Sequence, residues 1–310
     1  MLNSGLSTLT VHVNREECSL SPHFSVSPNP KVKFEILYED DHFVALNKPA
    51  GVVTQPGTKH QYNTLLNAAF ARWGKRLQNL GKKRDFGLLH RLDRGTSGIV
   101  LIALSADGYD GLRTLFESRT INKRYWALVD GVLQPKSGRC DVPIAEQRVN
   151  GKKRALLATN RPKSHHTRSS THSSYQSRDR SNAPRGQRAV TLYETLDSQR
   201  CSHGTSSFIS CDLLTGRLHQ IRVHMRSLGS SVLGDFDYAG KTQLNLLVKK
   251  LARDHLALHA GQISFQHPLS FEEMIIHALP PKWFTHLMLE LNYTLPVEWE
   301  TKGSITSSIL

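Results

Sequence analysis

Eight strand-length apolar runs, several following one another with no helix between, most limit what this chain can fold into. A parallel sheet needs a crossover of a dozen or more residues between neighbouring strands, usually a helix. Here FEILYED leads straight into HFVALNK within 34–48, and AVTLYETLD (189–197) is followed closely by SSFISCDLL (206–214). The other runs are SGIVLIAL (97–104), RYWALVDG (124–131), RALLATN (154–160) and ALHAGQISF (257–265). Segments near 64–80, 107–119, 216–228, 242–252 and 281–290 predict helices, the first carrying Leu65, Ala69, Trp73 and Leu77 at helical spacing. Together they predict an α+β fold: a mixed, largely antiparallel sheet with flanking helices.

With 310 residues of which 38% are hydrophobic, the chain can bury a full core, which excludes disorder of the whole. Residues 1–33 are rich in Ser, Pro and Asn with little periodicity and predict a low-hydrophobicity, disordered extension. Residues 161–188 hold six Arg, one Lys, seven Ser and no large aliphatic side chain, and predict a disordered insert. One folded unit is therefore expected over 34–295, interrupted by that insert, with a tail at 296–310.

The formal net charge of +14 points to a polyanionic partner, nucleic acid first, because clustered cations release counterions condensed on phosphates. Between Arg148 and Arg188, however, eleven Lys or Arg face only Asp179, so ten of the fourteen net charges sit on and beside the insert. That insert reads either as a solubilising loop or as a flexible RNA tether. A smaller basic cluster, Arg72, Lys75, Arg76, Lys82, Lys83 and Arg84, lies on or just after the first predicted helix and is expected near the site.

No run approaches the roughly 18 apolar residues of a membrane span. The amino-terminal residues lack a basic start followed by an apolar block, so a cytoplasmic protein is expected. Cys18, Cys140, Cys201 and Cys211 form no C-x-x-C pair, which argues against a zinc ribbon or disulfide framework.

The chemistry-bearing residues cluster in three places. GLLHRLDRGTSGIVLIAL (87–104) sets Asp93 between Arg91 and Arg94 in a polar turn before an apolar strand, where a nearby cation favours an ionised carboxylate. Spacing alone leaves Asp93 open between a turn cap and a reactive group. Tyr125 lies within a strand and reads as core as readily as catalyst. In the segment opening at Thr215-Gly216, a plausible helix start, Leu218, Ile221, Met225 and Leu228 recur at helical spacing, with Arg217 and Arg222 on opposite flanks of that stripe. A half-buried arginine there needs a carboxylate or phosphate partner. No H-E-x-x-H pair, phosphate loop, dinucleotide fingerprint or G-x-S-x-G elbow occurs, which leaves cofactor-free, metal-free chemistry by a single carboxylate.

Six blocks in order, NKPAGVVTQPG (47–57), HRLDRGTSG (90–98), KRYWALVDG (123–131), TGRLHQIRVHM (215–225), GDFDYAG (234–240) and LHAGQISFQHP (258–268), closely resemble the RluA family of RNA pseudouridine synthases. The resemblance covers roughly residues 34–295. It implies isomerisation of uridine to pseudouridine in RNA without metal or cofactor, ribosomal and transfer RNA being the natural candidates; a monomer is the default expectation. It places the family's essential aspartate on Asp93, its active-site tyrosine on Tyr125 and the arginine that pairs with the aspartate on Arg222. Arg91 corresponds to the arginine that enters the space left by a flipped nucleotide. Lys48, Arg94, Arg217 and His219 join it as expected RNA-binding residues, and Leu256, Leu258 and His259 are expected to line or support the pocket. The amino-terminal S4 domain carried by many relatives is not expected here.

Two other functions compete with this one. A non-catalytic RNA-binding or chaperone protein would use only the basic surface and has no need for Asp93, Tyr125 and Arg222 in combination. A nucleoside hydrolase or glycosidase normally needs paired carboxylates or a metal, for which Asp235 and Asp237 are the remaining candidates.

Overall fold

The computed structural model describes residues 24–149, 152–158 and 186–300. Its main sheet orders the strands β1 (Glu35–Glu39), β2 (Phe43–Lys48), β3 (Ser97–Ala103), β10 (Leu258–Gln266), β4 (Asn122–Asp130), β9 (Gly204–Leu213), β8 (Thr191–Cys201) and β5 (Ser137–Cys140). β11 (Glu273–His277) pairs with the distal half of β10. β6 (Ile144–Val149) and β7 (Lys152–Leu157) form a separate hairpin. The helices are α1 (Leu65–Leu80), α2 (Ala106–Ser118), α3 (Gln220–Ser227), α4 (Gln243–Leu251), α5 (Lys282–Glu290) and α6 (Val297–Glu300).

Local chemistry sets the turns. Asp40 closes the β1–β2 hairpin by accepting from the His42 and Phe43 N–H groups at 2.7 and 2.8 Å. α1 begins at a capping box in which the Thr64 hydroxyl accepts from Asn67 N and Asn67 Oδ1 accepts from Thr64 N. Leu65, Ala69, Trp73 and Leu77 are all buried, as their spacing predicts.

The sheet is covered on both faces, and β4 shows why its residues alternate. Tyr125, Ala127 and Val129 face the core built with α1, β2 and β3, whereas Trp126 and Leu128 face a second core made by α4, α5 and their neighbours. The sheet is antiparallel except where β3 meets β10, at Ser97–His259 and Gly98–Ala260. That parallel contact puts the loops leading into both strands at one end of the sheet, where Gly95 O accepts from Leu256 N at 2.9 Å. Gly98, at φ +115, has no room for a side chain because the Ala260 backbone occupies the space.

Three boundaries differ from the sequence expectations. Residues 24–33, assigned above to the extension, pack on α1: Val26 is buried, Phe24 meets Phe70 edge to face, and Asn29 N donates to Asn67 O. Two apolar side chains and a few backbone bonds suffice there, which composition does not register; residues 1–23 lie outside the described residues. At the other end, α6 belongs to the fold rather than to the tail, since Trp299 sits against Trp126, Phe208 and Phe284. The third helix starts at Gln220 rather than at Thr215-Gly216 because Thr215 is held to the sheet, accepting from Val190 N and donating to Gln220 Oε1.

Strands β5, β6 and β11 were not anticipated; four residues of β6 are exposed, so the apolar alternation that marks a strand is missing. Of the insert, 161–185 lies outside the described residues, and Gln187 pairs with Ile144 at the base of the β6–β7 hairpin.

Candidate active site

The polar turn before β3 is fastened at nearly every peptide. Thr54 Oγ1 donates to Leu92 O and accepts from Leu92 N, Gly51 N donates to Arg94 O at 2.7 Å, and Thr96 N donates to Asp93 O at 3.1 Å. His90 Nε2 accepts from Leu101 N at 3.0 Å, and burial drives its pKa down to about 3, so the ring is a neutral anchor. Asp93 is thus presented on a rigid turn at the mouth of a cavity of about 650 Å³.

Arg222 reaches this turn from α3. Its Nε and Nη2 each lie 2.8 Å from one oxygen of Asp235, Nη2 also lies 3.0 Å from Asp237, and Nη1 lies 3.2 Å from Asp93 Oδ2. Burial opposes the charge on Arg222, but Asp235 and Asp93 outweigh it and push its pKa above an already high value. For Asp237, likewise, burial is outweighed by Arg222, and its carboxyl is held below the usual range. The guanidinium also lies 4.9 Å from the Tyr238 ring. Asp93 therefore has one oxygen tethered, and the other lies 3.8 Å from His219 Nε2.

His219 is held in turn, its Nδ1 lying 2.7 Å from the Tyr238 hydroxyl, which accepts from Ala155 N of β7 at 2.9 Å. Burial lowers its pKa, with Asp93 acting in the opposite sense. Tyr125 lines the same cavity; burial, reinforced by the Asp93 carboxylate, keeps its phenol protonated far above the ordinary range. The arrangement supplies one anchored carboxylate as nucleophile or base, one neutral phenol able to donate or relay a proton, and a neutral imidazole beside them.

Of the residues expected from sequence, Asp93, Tyr125, Arg222, Arg91, Arg217, His219 and Leu258 all line this cavity. Lys48 does not, and its assignment to RNA is corrected. It is fully buried, with its ammonium donating to the carbonyls of Pro49, Val52 and Arg94 at 2.9, 2.7 and 3.5 Å. Burial, partly offset by Asp93, pulls its pKa down to about 7. Arg94 turns aside, donating to Gly51 O at 3.1 Å and sitting 3.6 Å from Asp254. His259 supports from behind, with Nδ1 2.8 Å from Ser97 Oγ and Nε2 2.9 Å from Ala278 O.

The arginines of the basic cluster on and after α1 are not at the site: Arg72 pairs with Glu39, Arg84 with Asp110, and Arg76 donates to the carbonyls of Leu104 and Asp41. Sequence reasoning missed Asp235, Asp237 and Tyr238 as the groups that hold Arg222 and His219. The block GDFDYAG carried that signal, since two carboxylates two residues apart are what a half-buried arginine on a nearby helix requires.

Residues 42–227 match the family described as RNA pseudouridylate synthase. The ribosomal large subunit pseudouridine synthase D of Zymomonas mobilis is 35% identical over 253 residues, 81% of this chain and 70% of that protein. The dual-specificity RNA pseudouridine synthase RluA of Pasteurella multocida is 32% identical over 260 residues, 83% of this chain and 97% of that protein. Several other curated relatives are longer, this chain spanning 65% of one and 60% of another. Among solved structures, human RNA pseudouridylate synthase domain containing 4 is 26% identical with a TM-score of 0.56, covering 84% of this chain and 94% of that one. With the family matched over more than half of its length, and with relatives of this identity, the chain belongs to the RluA family of RNA pseudouridine synthases.

Proposed function

We propose that this chain isomerises uridine to pseudouridine within ribosomal or transfer RNA, with Asp93 as the reacting group. The N1–C1′ bond breaks, the uracil turns, C5 joins C1′, the C5 hydrogen leaves as a proton and N1 gains one. The observation that carries the reading is the asymmetric hold on Asp93, one oxygen 3.2 Å from Arg222 and the other 3.8 Å from His219, in a cavity that Asp93 and Tyr125 both line. A uridine in folded RNA exposes neither C1′ nor both ring faces, so it must be extruded into that cavity at a cost of a few kcal/mol of unstacking. Tyr125 stacks on the extruded base and relays the C5 proton, its hydroxyl giving up its own proton to water as it takes that one. Arg91, exposed and without a partner among the described residues, fills the gap left in the RNA. The names of two relatives, one for the large ribosomal subunit and one for dual specificity, support this substrate class. RNA is then the partner of a monomeric, cytoplasmic chain whose catalytic unit runs from about residue 24 to residue 300 without metal or cofactor.

The test is tritium release from ribosomal and transfer RNA labelled at C5 of uridine. Native protein is expected to release label and Asp93→Asn none, while both bind RNA; release by the Asn variant overturns the role of Asp93.

A further inference from the structure

Beside the cavity that holds Asp93 lies a second cleft of about 310 Å³, between the start of β4 and the turn at 214–217. The two share Phe116, Lys123, Gly216 and Arg217, so they are continuous. Lys123 stands two residues before Tyr125 on β4, hence on the same face and about 7 Å farther along the strand. Its ammonium is half-buried and lies 5.6 Å from the Phe116 ring, with no hydrogen bond or ion pair to any described residue. The one acid lining the cleft, Glu117, is already engaged by Arg113 at 2.6 Å.

Arg217 faces the same space with a fixed stem: its N–H donates to Gln220 Oε1 at 3.1 Å and its Nε to Arg188 O at 3.2 Å. Its two terminal nitrogens have no acceptor among the described residues. Gly216 lies between Lys123 and Arg217, a Cβ built there falling 3.9 Å from Lys123 Nζ. With Glu117 engaged by Arg113, the partly desolvated ammonium and the positioned guanidinium have no ion-pair partner among the described residues and lack the counter-charge that such groups require.

We propose that this cleft is a phosphate subsite in which Lys123 and Arg217 hold the backbone phosphate of a nucleotide adjacent to the one extruded beside Asp93. The guanidinium supplies planar donors and the ammonium a point charge, a combination suited to a phosphodiester that turns sharply next to a flipped base. The subsite would fix which uridine along the strand stands at Asp93. The inference rests on the RNA-isomerisation reading for its ligand, but its charge geometry can be tested without turnover.

The experiment uses the full chain and a short fluorescein-labelled oligouridylate, with affinity measured across a series of salt concentrations. Each phosphate contact on a single strand adds about 0.7 to the magnitude of the log–log slope. Lys123→Gln and Arg217→Gln are each expected to reduce the slope by about that amount. Lys123→Arg is expected to restore it, and Lys282→Gln, an exposed cation on α5, to leave it at the native value. An unchanged slope in both cleft variants overturns the proposal, as does an equal fall in Lys282→Gln. Should Lys123→Gln not fold, Arg217→Gln reads the same cleft from another element.

Competition by inorganic phosphate at fixed ionic strength separates a chain phosphate from a free anion. Displacement of the oligomer from native protein but not from the Gln variants would assign the cleft to free phosphate and overturn the proposal. Tritium release by the same native protein reports the isomerisation reading separately, so absent release with a reduced slope sinks that reading and leaves the subsite standing.

Discussion

Arg222 binds Asp93 through one nitrogen only, Nη1 to Oδ2 at 3.2 Å, while Asp235 takes Nε and Nη2 at 2.8 Å each. The shorter, two-pronged pair is the buried one, with Arg222 and Asp235 both almost fully enclosed and Asp237 about half exposed. Asp235 therefore sets where the guanidinium points, and Asp93 is aimed by a group that another carboxylate has already oriented.

Substituting the two supporting acids is expected to separate aiming from charge. Asp235→Asn removes the charge partner of a buried guanidinium, at a cost on the order of 3 kcal/mol of stability, and lets Nη1 drift. A misplacement of about 1 Å costs roughly a hundredfold in rate. Asp237→Asn breaks a solvent-exposed contact worth at most about 1 kcal/mol and is expected to change release severalfold at most. Urea unfolding and tritium release on both variants check this, and an equal loss in the two would refute the hierarchy.

Much of this arrangement was legible in the sequence because period and polarity agreed there: the apolar run behind Asp93, the buried face of α1 and the flank position of Arg222 all follow from local spacing. Lys48 was misread because its surroundings are supplied by carbonyls from three different peptides, which spacing cannot reveal. Residues 24–33 were misread for the converse reason, since Val26 and Phe24 are too few to register as a pattern yet meet Phe70 and Gly74 of α1 closely. The three residues of the Asp235–Tyr238 stretch that hold the site were seen as a block but not as supports, because their partners lie on α3 and β7.

The buried Lys48 gives a pH dependence of defined sign. Its pKa is about 7 in the folded protein against the ordinary lysine value of 10.5, so between these values the unfolded chain binds more protons than the folded one. Stability contributed by this group is therefore lowest below pH 7 and rises as pH climbs from 7 toward 10.5. Relative to Lys48→Met, the native chain is expected to gain by up to about 1.4 kcal/mol per pH unit in that window. Urea unfolding of both proteins at neutral and alkaline pH measures the difference, and a stability of the native chain minus that of Lys48→Met that falls as pH rises contradicts it.

Tyr238 links the β6–β7 hairpin to the site through a single hydroxyl. Tyr238→Phe leaves the Ala155 N–H without its acceptor and frees His219 Nδ1, at a cost of about 1–3 kcal/mol for the buried donor. The loss should be local, so hydrogen exchange is expected to speed up at Ala155 and its β6 partner Glu146 while β4 and β9 keep their protection. Uniform loss across the sheet would mean that the hydroxyl supports the whole fold rather than the hairpin.

Tyr125 separates stacking from proton transfer. Its ring is packed into the core while its phenol lines the cavity, and burial with the Asp93 field keeps the hydroxyl protonated across the physiological range. Tyr125→Phe retains the ring face and removes only the oxygen. Binding of oligouridylate is then expected to stay within about twofold, because base–aromatic stacking does not need the hydroxyl. Tritium release is expected to fall by about 10²–10⁴, the range of a positioned general acid or base. Tyr125→Leu removes the aromatic face as well and should weaken binding in addition to abolishing release. Full release by the Phe variant would leave the C5 proton to another acceptor, with His219, 3.8 Å from Asp93, the nearest candidate.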